Sequence, residues 1–326
     1  SIHMSCICSV PFVQLLQIAN LLRSSYVMNF LGVTRHPRAT TLGLVTPRMW
    51  CSLRERLQQF ANANSTPSVG QRLLWAWQCG MGLLTLHRAS IVHQNVNSSA
   101  IMLRDETNQQ CVISDFGRAQ KLDSREFGEG PAEVPRVDEF SPWTPPESFG
   151  PTFMGSPNFS SDVYSFGVLL WELATCGIPF EGQEAADVLA KLSFQSREAG
   201  SLGNGGEHPL ILDLKKKAHD MPSEYTSLIS HCLSVSPGNR PYMSEVVRQL
   251  AVLCGAQQEH SNSTNPMAAA EMGCAEELFH RLEERMSNLL EGGVRDGERS
   301  EMVLDALVRL ERRVEDLQDA VALAEG

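Results

Sequence analysis

One stretch, Ile91–Leu103, constrains the fold of this chain more than any other. It reads I-V-H-Q-N-V-N-S-S-A-I-M-L, in which two short apolar segments flank a polar loop. After a brief polar connection the chain returns to an apolar segment, Cys111–Ile113, and then to Ser114-Asp115-Phe116-Gly117. Short apolar runs bounded by polar residues are typical of buried strands. The pattern therefore predicts two short strands, joined by a hairpin, between the polar loop and Asp115.

These two segments resemble the catalytic loop and metal-binding turn of eukaryotic protein kinases, in which H-R-D-L-K-x-x-N precedes D-F-G. The overall character resembles the tyrosine-kinase-like group. The resemblance covers about residues 12–255. It implies an α+β, protein-kinase-like fold with a small β lobe and a mainly α-helical large lobe.

The residues that carry kinase chemistry are replaced. Gln94 stands at the Arg position, Asn95 at the catalytic Asp position and Asn97 at the Lys position. Ala100 stands where the family has a metal-binding Asn. An amide has no basicity comparable to that of a carboxylate, and a positioned base contributes roughly 10²–10⁴ in rate. Asp115 remains a candidate magnesium ligand, because carboxylates bind hard cations.

The small lobe is predicted to be truncated. A helical pattern spans residues 12–22, followed by predicted strands over 27–33 and 40–46. On this alignment Leu15 replaces the Glu that pairs with the family's strand Lys. The Gly-rich loop and the V-A-I-K strand would lie before Pro11, where we find no room for them. The alternative is that these strands are missing from this record only.

The resemblance assigns further roles by position. Residues around a nucleotide would be Thr46, Pro47, Met49 and Met102. Structural residues would be Phe30, His93, Phe116, Asp162, Glu147 and Arg240. Glu147 and Arg240 would form a buried ion pair. His93 would pack beneath Phe116 and would not act as a base.

The large lobe shows clear helical signals. Ser52, with Glu55 three residues on, is a capping box that predicts a helix start. The stretch Ser161–Leu173 matches the family's central helix, with a predicted Ser/Asp cap and an apolar circumference. Ser124 and Ser141 are candidate phosphorylation sites, although Gln94 removes the Arg that usually receives a loop phosphate.

The C-terminal region changes character. Residues 256–272 read as a polar linker, and 273–326 as a helical tail. Apolar residues from Val303 to Ala324 alternate in steps of four and three, with Val314 and Val321 at heptad position a. This pattern favours a two-stranded coiled coil through residues 303–324 and hence a homodimer. The alternative is a helix that packs back on the large lobe.

The sequence therefore predicts four regions. They are a partial small lobe over residues 1–49, the large lobe over 50–255, the linker over 256–272 and the helical tail over 273–326.

The composition of the chain limits the classes of binding partner that we expect. A net charge of −11 and a pI near 5.3 argue against nucleic-acid or anionic-membrane surfaces. Nine cysteines without a C-x-x-C pair indicate reduced thiols in the cytoplasm. We therefore expect protein partners.

Three functions follow from this sequence. The first is a catalytically impaired kinase-like scaffold or regulator in signalling. The second is an active ATP-dependent protein kinase with an atypical loop or missing strands. The third is nucleotide binding without phosphotransfer. ATP and Mg²⁺ are accordingly expected to bind weakly or not at all.

Overall fold

The computed structural model describes residues 2–6, 24–35, 42–106, 109–122, 141–148, 158–192 and 207–260. The strands are β1 Ile2–Cys6, β2 Gly32–Arg35, β3 Leu42–Pro47, β4 Cys51–Ser52, β5 Ile91–Val92, β6 Ile101–Leu103, β7 Cys111–Ile113 and β8 Gln120–Lys121. The helices are α1 Leu53–Asn62, α2 Val69–Arg88, α3 Phe159–Thr175, α4 Pro209–Lys217, α5 Ser223–Cys232 and α6 Met243–His260. Residues 185–192 are also helical.

Several sequence predictions fall outside the described residues. They are the helix over 12–22 with Leu15, the phosphorylation candidate Ser124, and the helical tail 273–326. The chain divides into two units, Ser1–Val246 and Val247–Gly326. The described part of the second unit is the helical segment 247–260.

The N-terminal sheet is antiparallel, with the strand order β1-β3-β2. Strand β1 precedes Pro11, and all five of its residues have Cα partners on β3, from Ile2 opposite Pro47 to Cys6 opposite Gly43. Its sequence, I-H-M-S-C, is neither a Gly-rich loop nor a V-A-I-K strand, so the truncation of the small lobe stays a prediction.

The strand predicted over residues 27–33 is also wrong in its bounds, since β2 begins only at Gly32. Val27 instead forms an isolated parallel bridge with Ile113 of β7. Two backbone hydrogen bonds hold this crossing: Met28 N–H donates to Ile113 at 2.8 Å, and Ile113 N–H donates to Tyr26 at 2.9 Å. The apolar residues Tyr26–Met28 are buried where this segment crosses β7. A short apolar run is typical both of a strand and of other buried segments, so the sequence alone could not tell them apart.

Helix α2 forms much of the core, with Trp75 and Trp77 fully buried. It approaches the Tyr26–Met28 crossing closely at Gly82. A Cβ atom on Gly82 would lie 2.6 Å from the Tyr26 carbonyl oxygen. The absence of a side chain at Gly82 therefore allows α2 to contact the Tyr26–Met28 segment.

Helix α3 is buried along most of its length, as its apolar circumference predicts. Its cap differs from the prediction. The N-cap is Asn158, whose side chain accepts from Ser161 N–H, and the helix begins at Phe159. Asp162 lies inside the first turn, so its carboxylate is free to bind the polar loop.

Strands β4, β6 and β7 form a second antiparallel sheet, and β5 pairs with β8. The predicted hairpin between the polar loop and Asp115 is thus β6–β7. Helix α1 carries the predicted capping box of Ser52 and Glu55. Within the described residues, no helix combines the length and apolarity that crossing a membrane would require.

Candidate functional site

The backbone of the polar loop is anchored on Asp162 of α3. This carboxylate is fully buried and accepts the N–H groups of His93 and Gln94, both at 2.8 Å. The ring of His87 adds a third contact, at 2.9 Å from Nε2. The first turn of the central helix therefore fixes where the loop begins.

The imidazole ring of His93 is held by hydrogen bonds and by aromatic packing. Its Nδ1 atom accepts from Asn95 N–H at 3.2 Å, so the proton lies on Nε2, which donates to the Ser114 carbonyl at 2.8 Å. The ring packs against Phe116 with centroids 5.5 Å apart, and Phe116 packs against Phe30 at 5.9 Å. Both ring nitrogens are used within the protein, which leaves none for a substrate.

Asn95, at the catalytic Asp position, contacts the aspartate of the D-F-G turn. Its Nδ2 atom donates to Asp115 Oδ2 at 2.7 Å. Asn97 Nδ2 donates in turn to the Asn95 carbonyl at 2.9 Å and to Asn95 Oδ1 at 3.2 Å. We call Asn95, Asn97 and Asp115 the amide clamp. It joins the two segments that the sequence singled out.

Asn97 has no free polar atom in this arrangement. Its Oδ1 accepts the N–H groups of Ser99 at 2.8 Å and Ala100 at 3.1 Å, and it is buried. Its side chain shapes the turn that follows. It supplies no positive charge where the family has lysine.

The donor set does not fit the family's magnesium site. In kinases the D-F-G Asp and the loop Asn hold the cations. Here Ala100 has a methyl side chain, and its carbonyl accepts both Ser114 N–H and Ser114 Oγ at 2.8 Å. Among the described residues no three His, Cys, Asp or Glu side chains gather around a point that could hold a metal ion. Asp115 is left as a single carboxylate already bound by an amide.

Gln94 connects the loop to the segment after Asp115. Its backbone is in the left-handed region, with φ of 62°, and its side-chain amide donates to the Arg118 carbonyl at 2.8 Å. Gln94 therefore links these segments through its own side chain.

The residues assigned to a nucleotide lie on β3, on the segment that follows β3, and on β6. Thr46 and Pro47 end β3, opposite His3 and Ile2 of β1. Met49 is buried between β3 and β4, and Met102 lies in β6, opposite Ser52. The chain after β3 is thereby tied to the hairpin that leads to Asp115.

Glu172 is a central residue that we did not single out from the sequence. Its carboxylate, fully buried in α3, pairs with Arg54 and accepts Ser98 Oγ at 2.7 Å, Ser98 N–H at 3.1 Å and Trp143 Nε1 at 2.8 Å. Burial raises the pKa of Glu172, while the Arg54 charge and these hydrogen bonds oppose the rise. The sequence did contain a signal for this role: Glu172 lies in a helix that is apolar on most sides. A glutamate is almost never fully buried unless it is paired, so its position implied a partner.

The second ion pair at α3 joins Glu147 and Arg240. Arg240 Nη1 and Nη2 donate to the two carboxylate oxygens of Glu147 at 2.6 and 2.7 Å. Arg240 also donates to the carbonyls of Ser160 at 3.0 Å and Ser234 at 2.8 Å. Its guanidinium lies 5.1 Å from the centroid of the Tyr164 ring.

Sequence comparison assigns this architecture to a family. The family model of protein tyrosine and serine/threonine kinases matches residues 8–250. The chain belongs to this kinase family. The match thus includes β2 to β8, α1 to α5 and the first eight residues of α6.

Three similar curated proteins are two kinases and one kinase domain-like protein by name. The domain is 26% identical over 243 residues, 73% of this chain, to a probable serine/threonine-protein kinase of Dictyostelium discoideum. It is 26% identical over 241 residues, also 73% of this chain, to human serine/threonine-protein kinase A-Raf. It is 24% identical over 197 residues, 60% of this chain, to human mixed lineage kinase domain-like protein. The matched regions span 13%, 36% and 38% of those relatives.

Proposed function

We propose that this protein is a catalytically impaired member of the kinase family that acts as a scaffold or regulator in signalling. One observation carries the proposal: the side chain at the catalytic position, Asn95, donates a hydrogen bond to Asp115. A general base has to accept the proton of a substrate hydroxyl. The amide of Asn95 has its donor end on Asp115 and its oxygen on Asn97, and neither end has the required basicity.

The charges around the loop support the same proposal. Kinases bring a strand lysine, a loop lysine and metal ions to the transferring phosphoryl group. Asn97 stands at the position of the loop lysine, and Ala100 at the position of a metal-binding residue. At these two positions the developing negative charge would lack the compensation that kinases provide.

A phosphotransfer assay tests the proposal directly. The full chain is incubated with radiolabelled ATP and Mg²⁺, with itself and a generic protein as acceptors. We expect no incorporation above that of Asp115→Ala. Incorporation that disappears in Asp115→Ala would overturn the proposal in favour of an active kinase, the activity that the names of the Dictyostelium and A-Raf relatives state.

Nucleotide binding without transfer is a second candidate, and residues 47–49, which match the hinge of the family, support it. Trp50 N–H donates to the Leu103 carbonyl at 2.9 Å, so the segment after Thr46 is held against the hairpin that carries Met102. Backbone groups at a hinge can bind adenine whatever the side chains are. Titration with ATP in EDTA, followed by thermal unfolding, tests this. ATP at about 100 times its Kd would add roughly 2.7 kcal/mol of stability, and an unchanged midpoint at millimolar ATP would exclude the site.

We further propose protein partners, a cytoplasmic location and self-association through residues 303–324. The apolar alternation of the tail supports a two-stranded coil, and the described cysteines are free thiols. Sedimentation equilibrium of the full chain and of a chain lacking residues 273–326 tests the dimer. We expect the full chain to sediment as a dimer and the deleted chain as a monomer. Equal association states for both chains would contradict it.

A further inference from the structure

We propose that the amide clamp takes the place of a divalent cation at the D-F-G turn, so that the loop and Asp115 are held together without metal and Mg²⁺ is excluded. This deepens the proposed function and rests on it, because it concerns the same loop. It adds a property that loss of phosphotransfer does not require. A domain can lack a catalytic base and still bind a cation through its D-F-G aspartate.

The orientation of the clamp follows from its hydrogen bonds. Asn97 Oδ1 accepts two backbone N–H groups, from Ser99 and Ala100, so Nδ2 is the end that faces Asn95. Asn95 therefore presents its oxygen to Asn97 and its nitrogen to Asp115. A flipped Asn95 amide would set its N–H groups against those of Asn97 and its oxygen against the carboxylate. Two backbone donors thus fix which end of Asn95 faces Asp115.

This orientation disfavours a cation at Asp115. Mg²⁺ requires several oxygen ligands in near-octahedral geometry. Asn95 Nδ2, whose hydrogens carry partial positive charge, lies 2.7 Å from Asp115 Oδ2 and occupies one of the two oxygens that a metal could use. The oxygens of Asn97 and Ala100 are engaged with backbone and Ser114 donors. A cation would have to displace the clamp before gaining a second protein ligand.

The backbone of the turn has an uncommon conformation at Asp115. Asp115 lies in the left-handed region, with φ of 58° and ψ of 59°, where few side chains other than glycine, Asn and Asp are tolerated. The side-chain amide of Asn95, on the polar loop, donates to the carboxylate of this turn residue. The clamp therefore gives the loop a fixed arrangement in the absence of ligand.

One substitution should convert the clamp into a cation site. Asn95→Asp is nearly isosteric and places a second carboxylate against Asp115. The two like charges should destabilise the loop in EDTA and gain stability from a bridging cation. Asn62→Asp, at the exposed end of α1, makes the same change in charge away from the site and is the matched control.

The experiment is performed on the full chain without nucleotide. Bound Mn²⁺ is counted by electron paramagnetic resonance, and unfolding midpoints are recorded in EDTA, Mg²⁺ and Mn²⁺. We expect wild type and Asn62→Asp to bind no Mn²⁺ at Asp115 and to show the same cation response as Asp115→Asn. Asn95→Asp should have a lower midpoint in EDTA that rises and saturates with Mn²⁺.

Wild-type Mn²⁺ binding that Asp115→Asn abolishes would overturn the inference. Because this outcome is measured on the wild-type chain, the test remains valid even if Asn95→Asp does not fold. A folded Asn95→Asp chain with no cation response would also overturn it. If phosphotransfer is absent but wild type binds Mn²⁺, only this inference fails. Phosphotransfer by wild type would instead defeat the proposed function.

Discussion

Arg240 binds both carboxylate oxygens of Glu147 across 93 positions of sequence. The Arg240 side chain is fully buried, whereas 22% of the Glu147 side chain is exposed. The pair joins the end of the segment after the D-F-G turn to the loop before α6. It is a structural contact of the kinase fold that does not depend on catalysis.

Removing Glu147 should therefore be costly. Glu147→Ala leaves a buried guanidinium without its counter-charge, and we expect a loss of about 3–5 kcal/mol in unfolding free energy. Urea unfolding of the full chain measures the loss. The control is Asp213→Ala, which breaks an exposed pair with Lys217 on α4 and should cost at most about 0.5 kcal/mol. Similar losses for both variants would contradict the buried character of the Glu147–Arg240 pair.

Glu172→Gln should destabilise by a comparable amount. Both carboxylate oxygens of Glu172 accept hydrogen bonds, so either orientation of a glutamine amide would set its N–H groups against a donor. The charge of Arg54 would also lose its partner, and about 3 kcal/mol should be lost. Differential scanning calorimetry compares it with Glu55→Gln, a change in an exposed capping box that should cost about 1 kcal/mol or less. A loss of unfolding free energy no larger than that of the control would contradict a large contribution of Glu172 to stability.

Two glycines of helix α2 should respond to alanine with opposite signs. At Gly82 the added Cβ would meet a backbone carbonyl at 2.6 Å, and overpacking of this kind costs about 1–3 kcal/mol. At Gly70 no atom lies within 4 Å of the added Cβ, so Gly70→Ala should stabilise by about 0.5–1 kcal/mol through helix propensity. Midpoints of urea unfolding distinguish the two. Stabilisation by Gly82→Ala would mean that α2 and the Tyr26–Met28 crossing are not in close contact.

His208 should make stability depend on acid pH. Burial, with the Arg240 charge as a smaller cause, lowers the pKa of His208 from 6.5 to about 3. Native His208 thus stays uncharged where the unfolded chain takes up a proton. Its contribution is complete above pH 6.5 and is lost as pH falls toward 3, by about 1.4 kcal/mol per pH unit.

His208→Asn tests this contribution, because it keeps an acceptor for Leu210 N–H at the start of α4 and removes the titrating group. The unfolding free energy of the variant should fall less steeply than that of wild type between pH 6 and 4. Parallel pH profiles would contradict the assignment. Other histidines contribute equally to both chains and cancel in the comparison.

The helices of the large lobe could be predicted because local and tertiary signals agree there. The capping box at Ser52 and the apolar circumference of α3 both specify helix, and both elements form where predicted. The crossing at Tyr26–Met28 could not be distinguished from a strand, because its partner, Ile113, lies far away in sequence. The cap of α3 was misassigned because Asn158, Ser161 and Asp162 are all good N-cap residues.

The site could be predicted only in part. The resemblance pointed to Asn95, Asn97 and Asp115 as positions, and the loss of a base followed from residue type alone. The hydrogen bond between Asn95 and Asp115 did not, because amide orientation depends on the backbone donors that bind Asn97. Glu172 was also missed, since its three partner residues come from three distant segments.

The anchoring of the polar loop on Asp162 and Glu172 has an evolutionary consequence. Both carboxylates belong to α3, and they bind the loop through its backbone and through Ser98. The loop's path is therefore set by two carboxylates of a helix some 70 residues away in sequence. Loop side chains that do not contact these carboxylates can be exchanged without removing the anchor. Evolution can accordingly vary what the loop binds while its attachment to α3 persists.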